Sequence, residues 1–244
     1  MNIPTPIYMT SWHRPDMTAR AIKEIHERTA SGSFQIHLYD NGSDMCVREY
    51  LTSLLDEGKI TSLMLDSRNT GCLYNKLVFH AMTETKNKYY CVNDSDVYPP
   101  KLTPDWLEQM VAIMEAHPEL GMLAPQLPPQ FLQQPYEVKD DIVYCRAIGN
   151  TLKLVRREAF PIDKFVQQLG AYGDDGLVSQ HMSEKGWRVA FCRGIFCMHD
   201  GQCENWGYTP DQIAMDPRKS GYGRPFTYEI ANWDTYEPEA QHRM

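Results

Sequence analysis

The chain has 244 residues, 42% of them hydrophobic and 23% charged, proportions that suit a protein able to bury a core and exclude a disordered, collagenous or coiled-coil chain. Lys and Arg number 24 against 32 Asp and Glu, a formal net charge of −8, which weighs against coating nucleic acid by bulk charge but leaves room for a local basic groove. No apolar run approaches the roughly 20 residues of a membrane helix, Met1–Ile7 lacks a basic-then-apolar leader, and the seven scattered cysteines are therefore expected as reduced thiols in a cytoplasm.

The first strand is expected at Pro6–Thr10. Met17, Ala21, Ile22 and Ile25 recur at helical spacing and predict a helix over Asp16–Ala30. Phe34–Tyr39 reads as a strand closed by the turn residues Asp40-Asn41-Gly42-Ser43, and Met45–Glu57 as a helix with Gly58 near its end. A strand at Ile60–Leu65, a helix at Leu73–Thr85 and a strand at Tyr89–Asn93 continue the alternation. Such alternation predicts an α/β fold, a single Rossmann-like, mostly parallel sheet flanked by helices.

Further along, Thr103 or Pro104 opens a helix that runs to His117, with Pro118 behind it. Gly121–Ala124 is a short strand, and Pro125–Tyr136, rich in Pro and Gln, an exposed loop. Gly149–Val155 reads as a strand, Gly176–Lys185 as a helix stopped by Gly186, and Arg188–Cys197 as the last strand. From Gly201 onward Gly, Pro, Tyr and Trp dominate and periodicity fades. Residues 1–200 are expected to form one domain and 201–244 an irregular C-terminal tail packed on it, too poor in aliphatics to make its own core.

Chemistry concentrates at a few places. Asn93-Asp94-Ser95-Asp96 follows the apolar Tyr89-Tyr90-Cys91-Val92. Ligands of an open parallel sheet bind at the carboxyl ends of its strands, and two carboxylates there can share a hard cation that also takes phosphate oxygens. The same pair would serve equally as a solvated turn with Asp caps. His199 follows the last strand, where an imidazole is either structural or a ligand for a divalent ion. Asp174-Asp175 stand before a helix, where they suit the helix dipole or supply a general base.

Taken in order, these motifs resemble the family-2-like glycosyltransferases of the GT-A fold, over roughly Ile7 to Gly201. Thr10-Ser11-Trp12-His13-Arg14-Pro15 resembles the family's opening loop, which lies near the nucleotide; this puts Thr10 and Arg14 there. Asp40-Asn41-Gly42-Ser43 resembles the second-strand motif, whose Asp contacts the base. Arg68-Asn69-Thr70-Gly71 with Asn75-Lys76 resembles the Asn-x-Gly segment and its following basic residue, implying Asn69 and Lys76 as nucleotide or phosphate contacts. Asp94-Ser95-Asp96 occupies the place of the Asp-x-Asp metal motif, and His199 that of the late His that joins the metal. Gly149-Asn150 and Leu154–Phe160 resemble the acceptor-side strand and turn. Asp175, eleven residues before Gly186-Trp187, stands where the family has its catalytic base. Two departures concern the acceptor side: Leu177 replaces a further acid, and Asp174 replaces a Glu.

The resemblance implies an inverting glycosyltransferase that uses Mn²⁺ or Mg²⁺ and a nucleotide-sugar donor, a UDP-sugar foremost. Asp94, Asp96 and His199 would hold the metal, with Asp94 also contacting the donor, and Asp175 would be the base. The acceptor hydroxyl is open among a saccharide, a protein and a glycan. A hydroxylated DNA base is a further alternative, for which Arg146, Lys153, Arg156 and Arg157 would line one edge. Other classes weighed are a two-metal nucleotidyltransferase, a non-catalytic nucleotide- or sugar-binding module, and a structural zinc site of Cys192, Cys197, His199 and Cys203, whose spacing is not that of a standard finger. The tail's aromatics, among them Trp206, Tyr208 and Trp233, suit packing over the sheet or a stacking platform. Within the tail, Pro217–Pro225, with Arg218, Lys219 and Arg224, reads as a surface loop or as a lid over the diphosphate.

Overall fold

The structure is a computed structural model that describes residues 3–67, 69, 86–127, 137–160 and 175–200. The helix expected at Leu73–Thr85, residues 128–136 of the expected loop, Lys76, Asp174, and the tail with its lid loop lie outside the described residues. Among the described residues, no helix is long and apolar enough to cross a membrane.

Strand β1 (Thr5–Ser11) has Ile7, Tyr8 and Met9 at 0% exposure, the burial on both faces that a central parallel strand requires. Helix α1 (Pro15–Arg28) begins with a proline, whose missing N–H costs nothing in the first turn, and packs Ala21, Ile22 and Ile25 inward. Next come β2 (Phe34–Asp40), α2 (Met45–Asp56) and β3 (Ser62–Leu65). The Asp44 carboxylate caps α2 by accepting the Val47 N–H at 3.0 Å. Gly58, at φ +68°, makes the left-handed turn behind that helix.

Beyond residue 86 the chain forms β4 (Tyr89–Asp94), β5 (Val97–Tyr98), α3 (Trp106–Ala116), β6 (Leu120–Gln126), β7 (Glu137–Lys139), β8 (Ile142–Cys145), β9 (Lys153–Arg156), α4 (Asp175–Glu184), β10 (Arg188–Phe196) and β11 (Met198–His199). Nine strands make one sheet in the order β3-β2-β1-β4-β9-β6-β10-β8-β7, and β5 pairs with β11 in a separate ribbon. Pairing is parallel among β3, β2, β1 and β4 and between β6 and β10. It is antiparallel where β9 sits between β4 and β6, and at β8. The sheet is thus mostly parallel, as expected.

Its two faces carry separate apolar clusters. Ile7, Met9, Ile22, Ile25, Leu51, Met110 and Met114 fill the side covered by α1, α2 and α3. Tyr8, Tyr39, Tyr90, Val155, Phe160, Val178 and Met182 fill the side that takes α4.

Several expected boundaries are corrected. Helix α3 starts at Trp106, not at Thr103 or Pro104, because Asp105 is its cap: one carboxylate oxygen accepts Leu107 N–H at 2.9 Å and Glu108 N–H at 3.0 Å. Pro125 and Gln126 belong to β6 rather than to a loop, since the Gln126 carbonyl accepts the Cys197 N–H at 3.0 Å. The expected strand Gly149–Val155 begins only at Lys153. Ahead of it the chain bends around the end of β4: Asn150 O accepts Asp94 N–H at 2.8 Å, Asn93 Oδ1 accepts Leu152 N–H at 3.0 Å, and Leu152 adopts φ +54°. The hairpin β7–β8 and the ribbon β5–β11 had no counterpart among the expected elements.

Candidate functional site

The parallel strands β1, β2, β3 and β4 all end on one edge of the sheet, and the expected site residues cluster there. At the end of β1, Thr10 lies opposite Asp94 in the β1–β4 register, and its hydroxyl donates to Asp94 Oδ1 at 3.5 Å. The following loop passes through His13, a non-glycine residue at φ +51°, whose N–H donates to Ser43 Oγ at 2.9 Å. Arg14 then caps α1: its carbonyl accepts the Thr18 N–H at 3.0 Å and the Thr18 hydroxyl at 2.8 Å. This anchorage aims the guanidinium, and Arg14 Nη1 donates to Asp96 Oδ2 at 2.7 Å with the two side chains 9% and 4% exposed.

The other oxygen of Asp96 faces His199, with Oδ1 and Nε2 3.6 Å apart. Two long-range devices make this meeting. The β5–β11 ribbon pairs Val97 with His199, and Asp200 N–H donates to Asp96 O at 2.8 Å. Helix α1 then holds the ribbon from outside: Arg20 Nη1 pairs with Asp200 Oδ2 at 2.5 Å and stacks over the Tyr98 ring at 4.3 Å. Burial, reinforced by the nearby Asp200 carboxylate, pushes the Tyr98 phenol well above its ordinary pKa.

Ligands about 2.1 Å from a common ion stand roughly 3–4 Å apart, so the 3.6 Å between Asp96 Oδ1 and His199 Nε2 fits a divalent cation. A carboxylate with an imidazole suits Mn²⁺ as well as Mg²⁺. Asp94 leans instead toward Thr10, and among the described residues no three His, Cys, Asp or Glu side chains gather on one point.

Asp40, expected to read a base, is 0% exposed. Its Oδ2 accepts Ser43 N–H at 3.0 Å and lies 3.5 Å from Arg48 Nε, and its Oδ1 accepts the Ser43 hydroxyl. The carboxylate therefore builds the turn after β2, as its place among the turn residues Asp40–Ser43 suggested, and both of its oxygens are engaged there. Asn69 joins this loop by accepting from Asn41 Nδ2 at 3.0 Å. Asp66, at the end of β3, accepts from Tyr39 OH at 2.7 Å and receives Arg48 on its carbonyl. Asp66, Arg48, Arg20 and Asp200 were all missed. Only the adjacency of Asp200 to His199 was a visible signal.

Asp175 is the first residue of α4. Ser179, one turn on, accepts the Ile148 N–H on its hydroxyl oxygen at 3.2 Å. Residues 148–152 curl around the carboxyl end of β4. The first turn of α4 thus stands at the same sheet edge as Asp94.

Two alternatives lose their footing. Lys153 is 0% and Arg156 4% exposed, so they do not line a basic edge for DNA with Arg146 and Arg157. Arg156 instead gives Nε to Leu120 O at 2.8 Å and Nη2 to Met114 O at 2.7 Å. For zinc, among the described residues no three His, Cys, Asp or Glu side chains gather on one point, and the Cys197 sulfur is turned to Gln126 O at 3.7 Å. Cys203 lies outside the described residues.

No family model and no curated protein matches the sequence. Solved structures do match. A mannosyltransferase, PcManGT from Pyrobaculum calidifontis, in complex with GDP-Man and Mn²⁺, superposes with a TM-score of 0.63 at 13% identity over 87% of this chain and 61% of that one. GalNAc-T7 with UDP, GalNAc and Mn²⁺ gives 0.58 at 15% identity over 81% and 44%. TarS from S. aureus gives 0.56 at 12% over 79% and 36%. The chain thus spans between 36% and 61% of the length of these proteins.

Proposed function

The chain has the GT-A fold, and on that scaffold we propose that it is a metal-dependent, inverting glycosyltransferase that moves a sugar from a nucleotide-sugar donor to an acceptor hydroxyl. The observation that carries this is the meeting of Asp96 and His199, 103 residues apart in sequence, at a separation that fits one divalent ion. Bound there, with Asp94 beside it, such an ion supplies positive charge for the departing diphosphate.

The chain's own residues do the rest. Thr10, Arg14, Asn69 and Lys76 are assigned to the nucleotide or its phosphates, as Asp40 is to the base, which it serves chiefly by shaping the Asp40–Ser43 turn. Asp175 accepts the proton of the acceptor hydroxyl as that oxygen bonds to the anomeric carbon. The bond from that carbon to the diphosphate oxygen breaks on the opposite face, through an oxocarbenium-like state, which inverts the centre. Support for Asp175 is its place at the head of α4, at the sheet edge that carries Asp94. Asp174, Leu177 and the tail would shape the acceptor side. The donor is a UDP- or GDP-sugar, the nucleotides present in the similar structures.

The test is a melting-temperature panel of UDP- and GDP-sugars with and without Mn²⁺. At least one donor is expected to stabilise the protein in the presence of Mn²⁺ only. A panel in which no nucleotide sugar shifts the midpoint would refute the reading.

A further inference from the structure

The Asp96 carboxylate serves two cations' worth of demand with one charge. Its Oδ2 holds the Arg14 guanidinium at 2.7 Å, and its Oδ1 faces His199 at 3.6 Å. We propose that Arg14 is a positioning residue that makes divalent-cation binding at Asp96 and His199 conditional on a nucleotide diphosphate. The proposal rests on the reading of Asp96 and His199 as the metal ligands.

A guanidinium stays charged at every accessible pH. Here it is buried with its partner, so solvent and salt screen it little. A divalent ion placed against Oδ1 therefore sits within one carboxylate's width of a permanent positive charge. Among the described residues the protein offsets this with a shared carboxylate, an imidazole, and Asp94, which accepts from the Thr10 hydroxyl. A diphosphate reverses the balance, because its oxygens complete the shell of the ion and also accept from a guanidinium. Cation and nucleotide must then strengthen each other's binding by the same factor.

The geometry gives Arg14 a second effect on the same carboxylate. By holding Oδ2 it leaves Oδ1 to face His199, so that Asp96 would offer that oxygen to a cation. The anchorage is firm at both ends. Arg14 O is bonded by Thr18 through both N–H and hydroxyl, at 3.0 and 2.8 Å, and the ribbon that carries His199 is held to the same helix by Arg20 and Asp200 at 2.5 Å.

The experiment titrates MnCl₂ into the full chain, followed by the free-Mn²⁺ resonance signal, with and without UDP or GDP, for the native protein and for Arg14→Gln and Arg14→Lys. The native protein is expected to bind Mn²⁺ weakly alone and at least about tenfold more tightly with nucleotide. Arg14→Gln is expected to bind Mn²⁺ alone at least about tenfold more tightly than the native protein, with a smaller gain from nucleotide. Arg14→Lys, which keeps the charge, should behave like the native protein. If Arg14 merely props Asp96 in place, Arg14→Gln binds Mn²⁺ more weakly; that result, or an unchanged affinity, overturns the proposal. The native titrations decide even if Arg14→Gln does not fold: equal Mn²⁺ affinity with and without nucleotide overturns the proposal alone. No Mn²⁺ binding in any condition overturns the metal reading of the site as well.

Discussion

Asp96→Asn is the substitution that most directly probes the centre of the site. It keeps the shape of the side chain and removes its charge. The native carboxylate is 4% exposed and takes a 2.7 Å bond from Arg14, itself 9% exposed. Removing one partner of a buried ion pair costs about 3–5 kcal/mol when nothing replaces it. The Asn carbonyl still accepts from Arg14 Nη1, and a bond to a charged group recovers about 1.5–3 kcal/mol. The remainder is a loss of about 2 kcal/mol, which in a chain of this size lowers the melting temperature by roughly 4–8 °C. The assay is a thermal melt of both proteins in chelator and then in Mn²⁺ with UDP or GDP. The variant should melt lower in chelator and should lack the further stabilisation that Mn²⁺ with nucleotide gives the native protein. A variant that melts like the native protein in chelator, or that gains equally from Mn²⁺ and nucleotide, would refute the assignment of Asp96 to both the ion pair and the metal.

Asp175→Asn should reduce transfer by about 10²–10⁴-fold while donor affinity and melting temperature hold, since Asn keeps the shape of the side chain but takes no proton; a larger loss in Asp174→Asn would move the base. Asp40→Ala should weaken nucleotide binding by about 1–3 kcal/mol and also lower stability, because Ser43 loses its acceptor; calorimetry that shows unchanged affinity would remove Asp40 from the nucleotide site. Arg156→Leu should cost about 3 kcal/mol or more, read from denaturant unfolding, since it strips hydrogen bonds from the buried carbonyls of Met114 and Leu120; a neutral result would show that water takes its place. Among the described cysteines, exposed Cys46 should label with iodoacetamide at pH 8, whereas Cys145 and Cys197, pushed up to about 12 by burial, should stay unlabelled until the protein unfolds.

The elements legible in sequence are those whose signal is local. Ala21, Ile22 and Ile25 mark the buried stripe of α1, and Ile7–Met9 and Tyr89–Val92 mark strands covered on both faces. The Asp-x-Asp and the late His were visible as residue types. What made them a pair was not, because the ribbon that joins them consists of two-residue strands, too short for any periodicity, paired across about a hundred residues. The antiparallel insertion of β9 is equally invisible, since it pairs with β4 and β6 over only a few residues each and enters through a bend whose Leu152 N–H is accepted by Asn93 Oδ1. Arg14 was legible as a cation near a nucleotide, but its partner, 82 residues away, was not. Asp40 was legible as a turn residue and expected as a base contact, and its bonds to Ser43 are local; that Arg48, one element on, also lies beside its carboxylate was not legible.

The central claim is catalysis by a metal-dependent transferase, and release of nucleoside diphosphate from a stabilising donor measures it most directly. With an acceptor pool and Mn²⁺, the native protein is expected to release UDP or GDP at a rate that excess chelator abolishes, that added Mn²⁺ restores, and that His199→Ala and Asp96→Asn largely lose. Release at the full rate in excess chelator, or undiminished in both variants, would contradict the account.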